Sequence, residues 1–89
     1  MLEKTIELYL VRQVVKLGGM AEKFTSPGRR SVPDRLVTLP NGRLFFVELK
    51  APGKKPTANQ QADHDRRRAL GQVVYVIDSK EGVDHALQG

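Results

Sequence analysis

The order of segments in this sequence predicts an α/β fold built on a mixed sheet. Three observations carry that expectation: a helical apolar period at the start, two strand-like runs joined by Asn41-Gly42, and a second helix leading into the β-branched run Val73 to Ile77. A chain of 89 residues fits one domain, residues 1–89, with a single core and a single site.

Leu2, Ile6, Leu10, Val14 and Leu17 recur at steps of three and four, and Val11 and Val15 widen the stripe. This places an amphipathic helix from Leu2 to Leu17, and Gly18-Gly19 offers the left-handed backbone at which helices stop. Met20 to Thr25 is long enough for a short strand, and Ser26-Pro27-Gly28-Arg29-Arg30-Ser31 is a basic loop with turn chemistry. Asp34 to Leu39 reads as a strand, and Asn41-Gly42 as the hairpin turn after it, because both residues accept positive φ. The return strand runs from Arg43 to Lys50. Leu44 and Phe46 lie on one face, Phe45, Val47 and Leu49 on the other, the mark of a central strand covered on both sides.

Ala51-Pro52-Gly53-Lys54-Lys55-Pro56 is a connection, since its prolines and glycine suit neither helix nor strand. Thr57-Ala58-Asn59-Gln60 fits a capping box that opens a second helix, ending near Leu70 before Gly71. Val73 to Ile77 then resembles an interior strand, and a helical crossover implies parallel pairing. Ser79 is placed to cap a last helix ending near Leu87. Phe45, Phe46 and Tyr75 read as core, and Tyr9 as core or interface.

Charged residues make up 28% and hydrophobic ones 39%, which suits a soluble globule rather than a disordered or membrane chain. There is no cysteine, hence no disulfide framework and no thiolate metal site. No stretch reaches the ~20 apolar residues of a membrane span. The opening Met1-Leu2-Glu3-Lys4 lacks the pattern of a signal peptide, so the expected location is the cytoplasm. A formal charge of +5 favours a polyanionic partner.

Glu48 and Lys50 are two apart on the most apolar strand, so they share the face of Leu44 and Phe46. Charges there are costly unless paired or metal-bound, which makes them either a site or an ion pair where the strand meets solvent. Asp34 shifts the balance toward a site. Counted outward from the turn, it lies nearly opposite Glu48, and two carboxylates held together repel unless a cation sits between them. Oxygen ligands of this kind suit Mg²⁺ or Mn²⁺ rather than zinc.

Pro33-Asp34 followed by Glu48-Leu49-Lys50 across a hairpin resembles the motif of the PD-(D/E)xK nucleases. Within that superfamily the chain is similar to the virus-type replication-repair nuclease, or VRR-NUC, domains. The similar features are the leading helix ending in Gly18-Gly19, the stretch Lys23 to Arg30, Val32-Pro33-Asp34-Arg35, Val47-Glu48-Leu49-Lys50, and Gln60 opening the second helix. The resemblance spans nearly the whole chain and implies a restriction-endonuclease-like αβββαβ core with a mixed central sheet flanked by helices.

It also implies roles. Asp34, Glu48 and the Leu49 carbonyl would hold Mg²⁺ or Mn²⁺, Lys50 would act on the attacking water, and Gln60 would reach toward the site while also capping its helix. The family places a Glu on the first helix. Glu7 is preferred, its distance to the terminal glycine being similar to that in Holliday junction resolvases, and Glu3, one turn earlier, remains open. The implied activity is metal-dependent endonuclease cleavage of DNA, selective for branched structures such as four-way junctions, by a homodimer working in replication or repair. The rival reading is a non-catalytic basic module that only binds nucleic acid.

Lys23, Arg29, Arg30, Lys54 and Lys55 flank the proposed site in the chain and are the expected phosphate contacts. The run Arg66-Arg67-Arg68 can instead pair with Asp63 or Asp65 and reads as a solvated face. Aromatic residues are only 6% and none lies among the basic ones, which points to backbone shape rather than base stacking. His64 and His85 have no second ligand at metal spacing and are assigned surface or structural roles.

Overall fold

Helix α1, Glu3–Lys16, turns Ile6, Leu10 and Val14 fully into the core. It starts without a side-chain cap, because Leu2 occupies the N-cap position. Its end uses two glycines for different reasons. Gly18 adopts φ +84°, while Gly19 has ordinary φ but passes so close to the sheet that a Cβ would collide with the Thr38 carbonyl oxygen.

Four strands follow in the computed structural model, which describes all 89 residues: β1, Met20–Lys23; β2, Arg35–Thr38; β3, Leu44–Leu49; and β4, Val74–Ile77. Helix α2, Ala58–Ala69, connects β3 to β4, and α3, Lys80–Gln88, closes the chain. The sheet order is β1-β2-β3-β4, antiparallel across the first two pairings and parallel across the last. The α/β class, the element order and the crossover are those expected. No helix is long and apolar enough to cross a membrane.

Two expectations need correction. The hairpin turn is not a two-residue Asn-Gly turn. Gly42 N–H donates to the Leu39 carbonyl, and Leu39 N–H donates to Arg43 O, both at 2.9 Å. Only glycines have positive φ, so Asn41 stays in ordinary backbone and Pro40-Asn41-Gly42 forms a three-residue loop. Pro40 presets the φ of a type I turn, and Gly42 at φ +84° supplies the left-handed residue that closes it. Secondly, Val73 to Ile77 contributes an edge strand, not an interior one, since β4 has a neighbour only in β3. Its apolar run fills the two faces beside β3 and leaves Val76 exposed.

The two faces of the sheet differ in kind. One carries the apolar core: Val37, Phe45, Val47, Leu49 and Ile77 against α1 and against Val83 and Ala86 of α3. The other is covered by α2, whose only buried residues are Asp63 and His64. Arg67 reinforces that polar layer, its guanidinium lying over the Phe46 and Phe24 rings at 4.7 and 5.2 Å.

Candidate active site

The β2–β3 register ends at Arg35 opposite Val47. One step further, Asp34 stands opposite Glu48 on the face of Leu36 and Phe46, the face under α2. Asp34 is held from both sides: its Oδ2 accepts from Leu49 N–H at 2.8 Å, and its carbonyl accepts from Phe24 N–H at 2.9 Å. Lys50 continues the same face, with Nζ 3.8 Å from Glu48 Oε2.

Gln60 joins them from α2. The capping box is formed as expected, with Thr57 Oγ1 accepting from Gln60 N–H and Gln60 Oε1 accepting from Thr57 N–H. The same Oε1 accepts from Lys50 Nζ at 2.7 Å, while Gln60 Nε2 donates to Glu48 Oε2 at 3.3 Å. Both readings of Gln60 therefore hold at once. One side chain starts the helix and bridges Lys50 to Glu48.

Glu48 is 2% exposed. Burial, with the Asp34 charge second, pushes its carboxyl up to about 8, although Lys50 works the other way. Two converging carboxylates, one of them ionised only at a cost, are suited to a divalent cation. No cluster of three or more Asp, Glu, His or Cys side chains is present, so a cation here would have two carboxylates at most. Backbone carbonyl, water and phosphate oxygens would complete the shell, which fits Mg²⁺ or Mn²⁺.

No protein-family profile matches the chain. It is 60% identical over 79 residues to "Putative nuclease p44" of Acyrthosiphon pisum secondary endosymbiont phage 1, covering 89% of this chain and 85% of that protein. A solved structure described as "VRR_NUC domain" matches with a TM-score of 0.90 and 36% identity, over 97% of this chain and 94% of that one. The chain belongs to the VRR-NUC family of nucleases.

In this VRR-NUC domain the two candidate acids of α1 are placed differently. Glu7 lines an open cavity of about 340 Å³ together with Asp34, Lys23, Arg29 and Arg30. Its carboxylate is engaged, however, by Arg35 Nε at 3.0 Å and Lys4 Nζ at 3.7 Å. Glu3 is exposed, and its charge is felt at Glu48. Arg35 divides its guanidinium between Glu7 and the Ala21 carbonyl, tying α1 to β1 and β2.

The basic residues separate into free and committed groups. Lys23, Arg30, Lys54 and Lys55 are exposed and make no ion pair. Arg29 is exposed but reaches Asp63 at 3.2 Å, joining the basic loop to α2. Arg66-Arg67-Arg68 is only partly the solvated face expected. Arg67 Nε lies 2.7 Å from Asp63 Oδ2, and Arg68 donates to the Val74 carbonyl at 2.7 Å. Burial works against the Asp63 carboxylate, but Arg67 and Arg29 outweigh it and hold the group below the usual range.

His64 is the residue that sequence reasoning undervalued. It is completely buried, with Nε2 3.6 Å from Glu48 Oε1. Burial, and then the Arg68 charge, hold its pKa below the ordinary histidine range. The one available signal was its spacing: four residues after Gln60, it lies one turn along the same helix face. His85 is exposed, as expected.

Proposed function

We propose that this nuclease is a Mg²⁺- or Mn²⁺-dependent endonuclease that hydrolyses DNA phosphodiester bonds. The observation that carries this reading is the meeting of Asp34, Glu48, Lys50 and Gln60 on one end of one sheet face. Asp34, Glu48 and the Leu49 carbonyl are the oxygens that would hold the cation. When bound, the cation would supply Lewis acidity to the scissile phosphate and acidify a water beside it. Lys50, fixed by Gln60 at 2.7 Å, orients or deprotonates the attacking water and offsets the charge that builds on phosphorus. Lys23, Arg30, Lys54 and Lys55 neutralise phosphates flanking the cut, and Arg29 adds a weaker, shared charge.

The working unit in this reading is a homodimer acting on branched DNA. A domain of 89 residues has a thin core, and β4 leaves one sheet edge unpaired beside exposed Leu70, Val73 and Val76. A two-fold pair of sites matches the two strands cut in a four-way junction.

Cleavage of duplex, nicked, flap and four-way-junction DNA with Mg²⁺, Mn²⁺ or EDTA tests the reading. Lys50→Ala should lose cutting yet still bind Mn²⁺ in calorimetry, whereas Glu48→Ala should lose both. Cutting by Lys50→Ala at the wild-type rate defeats the assignment, and a strict monomer indifferent to branching defeats the dimer reading alone.

A further inference from the structure

Three buried side-chain polar atoms in the molecule have no hydrogen-bond partner: Glu48 Oε1, His64 Nδ1 and His64 Nε2. They belong to two residues that face each other, with Nε2 3.6 Å from Oε1. An imidazole left without a bond is worse for a core than a leucine of similar size, because its polar atoms lose water and gain nothing. Its position opposite an equally unpartnered carboxylate oxygen therefore calls for one explanation covering both.

The geometry points to His64 as the positioning residue for Glu48: a neutral imidazole whose Nε2–H donates to Oε1 and fixes the carboxylate for a divalent cation. This rests on the metal-dependent reading above. The tautomer follows from the contacts. A buried N–H without an acceptor is less tolerable than an acceptor without a donor. A proton on Nε2 meets Oε1. With Glu48 ionised, as a bound cation requires, a proton on Nδ1 would leave that N–H unmade and set two lone pairs against each other. The present separation is longer than a hydrogen bond, and a shift of about half an ångström closes it. Contacts at catalytic groups commonly tighten in this way when a site fills. Each carboxylate oxygen has two lone pairs, so a bond from His64 leaves one on Oε1 free.

Glu48 is then gripped from two sides. Gln60 and Lys50 address Oε2, His64 addresses Oε1, and the Gln60 and His64 contacts both come from one face of α2.

The test uses the full chain and two variants, His64→Leu and His64→Gln, titrated calorimetrically with Mn²⁺ in the absence of DNA. His64→Leu should bind Mn²⁺ about 10- to 100-fold more weakly, the loss typical when the partner of a metal ligand is removed. Its thermal midpoint in EDTA should not fall. His64→Gln, whose amide can still donate, should recover most of the affinity. Nitrogen-15 NMR of the metal-free wild type at about pH 9, where Glu48 is ionised, should find the His64 proton on Nε2. Wild-type Mn²⁺ affinity in His64→Leu, or a proton on Nδ1, overturns the proposal. Should His64→Leu not fold, the tautomer decides. Should the wild type bind no Mn²⁺, the metal reading fails, while the tautomer still tests the Glu48 contact.

Discussion

Replacing Glu48 with Gln should stabilise the metal-free protein, and increasingly so as the pH rises. The Glu48 carboxyl moves from 4.5 in the unfolded chain to about 8 in the fold. The folded state thus holds the proton more tightly, and stability drains away as the pH climbs from the lower value through the higher one. Each pH unit in that window is worth about 1.4 kcal/mol. The loss is about 2 kcal/mol at pH 6 and about 4 kcal/mol at pH 8. The wild type should therefore lose about 10 °C in Tm between those two values relative to Glu48→Gln. His64 and the other titrating groups are common to both proteins, so the difference between the two curves isolates position 48. Thermal unfolding followed by circular dichroism in EDTA provides the measurement, and saturating Mn²⁺ should flatten the wild-type curve. Parallel wild-type and Glu48→Gln curves from pH 6 to 8 would refute the reasoning.

Asp63→Asn leaves Arg67, only 15% exposed, beside the Phe24 and Phe46 rings without its counter-ion. The cost should be about 3 kcal/mol, read as a drop of roughly 15 °C in Tm. Because the Asp63 pKa is depressed, its contribution is intact above the ordinary carboxylate range and lost as the pH falls through the lower folded value, so a variant no less stable than wild type at pH 7 contradicts the cluster's role. Arg30→Ala should make the log-log salt dependence of DNA binding shallower by about 0.9 with little sequence dependence. Arg29→Ala should do less, since its guanidinium is already shared with Asp63, and an unchanged slope in both would give the loop another task. Gly19→Ala should cost about 1–3 kcal/mol in urea denaturation, because the Thr38 backbone must yield, and a neutral effect would mean that the approach of α1 to β2 is loose.

Asp34, Glu48 and Lys50 were legible because a strand repeats every two residues and a hairpin sets its own register. The turn itself was misread: two loop residues would set Asp34 opposite Leu49, and the third, Pro40, brings it opposite Glu48. Gln60 was legible as a cap from its own residues and as a site residue only through the family resemblance, and its bridge to Lys50 needed the third dimension. His64 was not legible. Helix α2 turns Asp63, His64 and Arg67 inward, so hydropathy shows no inner face against which a buried histidine would stand out. The edge position of β4 was hidden for a related reason, since an apolar run looks alike whether one or two strands flank it. Glu7 and Glu3 stood one turn apart on the same helix side, and nothing local in the sequence shows that Arg35 takes up Glu7, a contact made across 28 residues.

The polar underside of α2 also bears on how this protein moves. Separating that helix from the sheet would uncover an aspartate, a histidine and an arginine on the helix and only Phe46 and Val74 among buried apolar residues of the sheet, so hydrophobic burial resists it less than it holds α1. The attachment of α2 is instead concentrated in a few polar contacts: Asp63 to Arg29 of the basic loop, Arg67 over the Phe24 and Phe46 rings, Arg68 to the Val74 carbonyl, and Gln60 to Lys50 and Glu48. Amide hydrogens of residues 58–69 should then exchange through local openings far cheaper than global unfolding, while those of α1 exchange only when the whole chain unfolds. Gln60 rides on the helix that opens, so each excursion carries one side of the Lys50 grip away from the sheet and back.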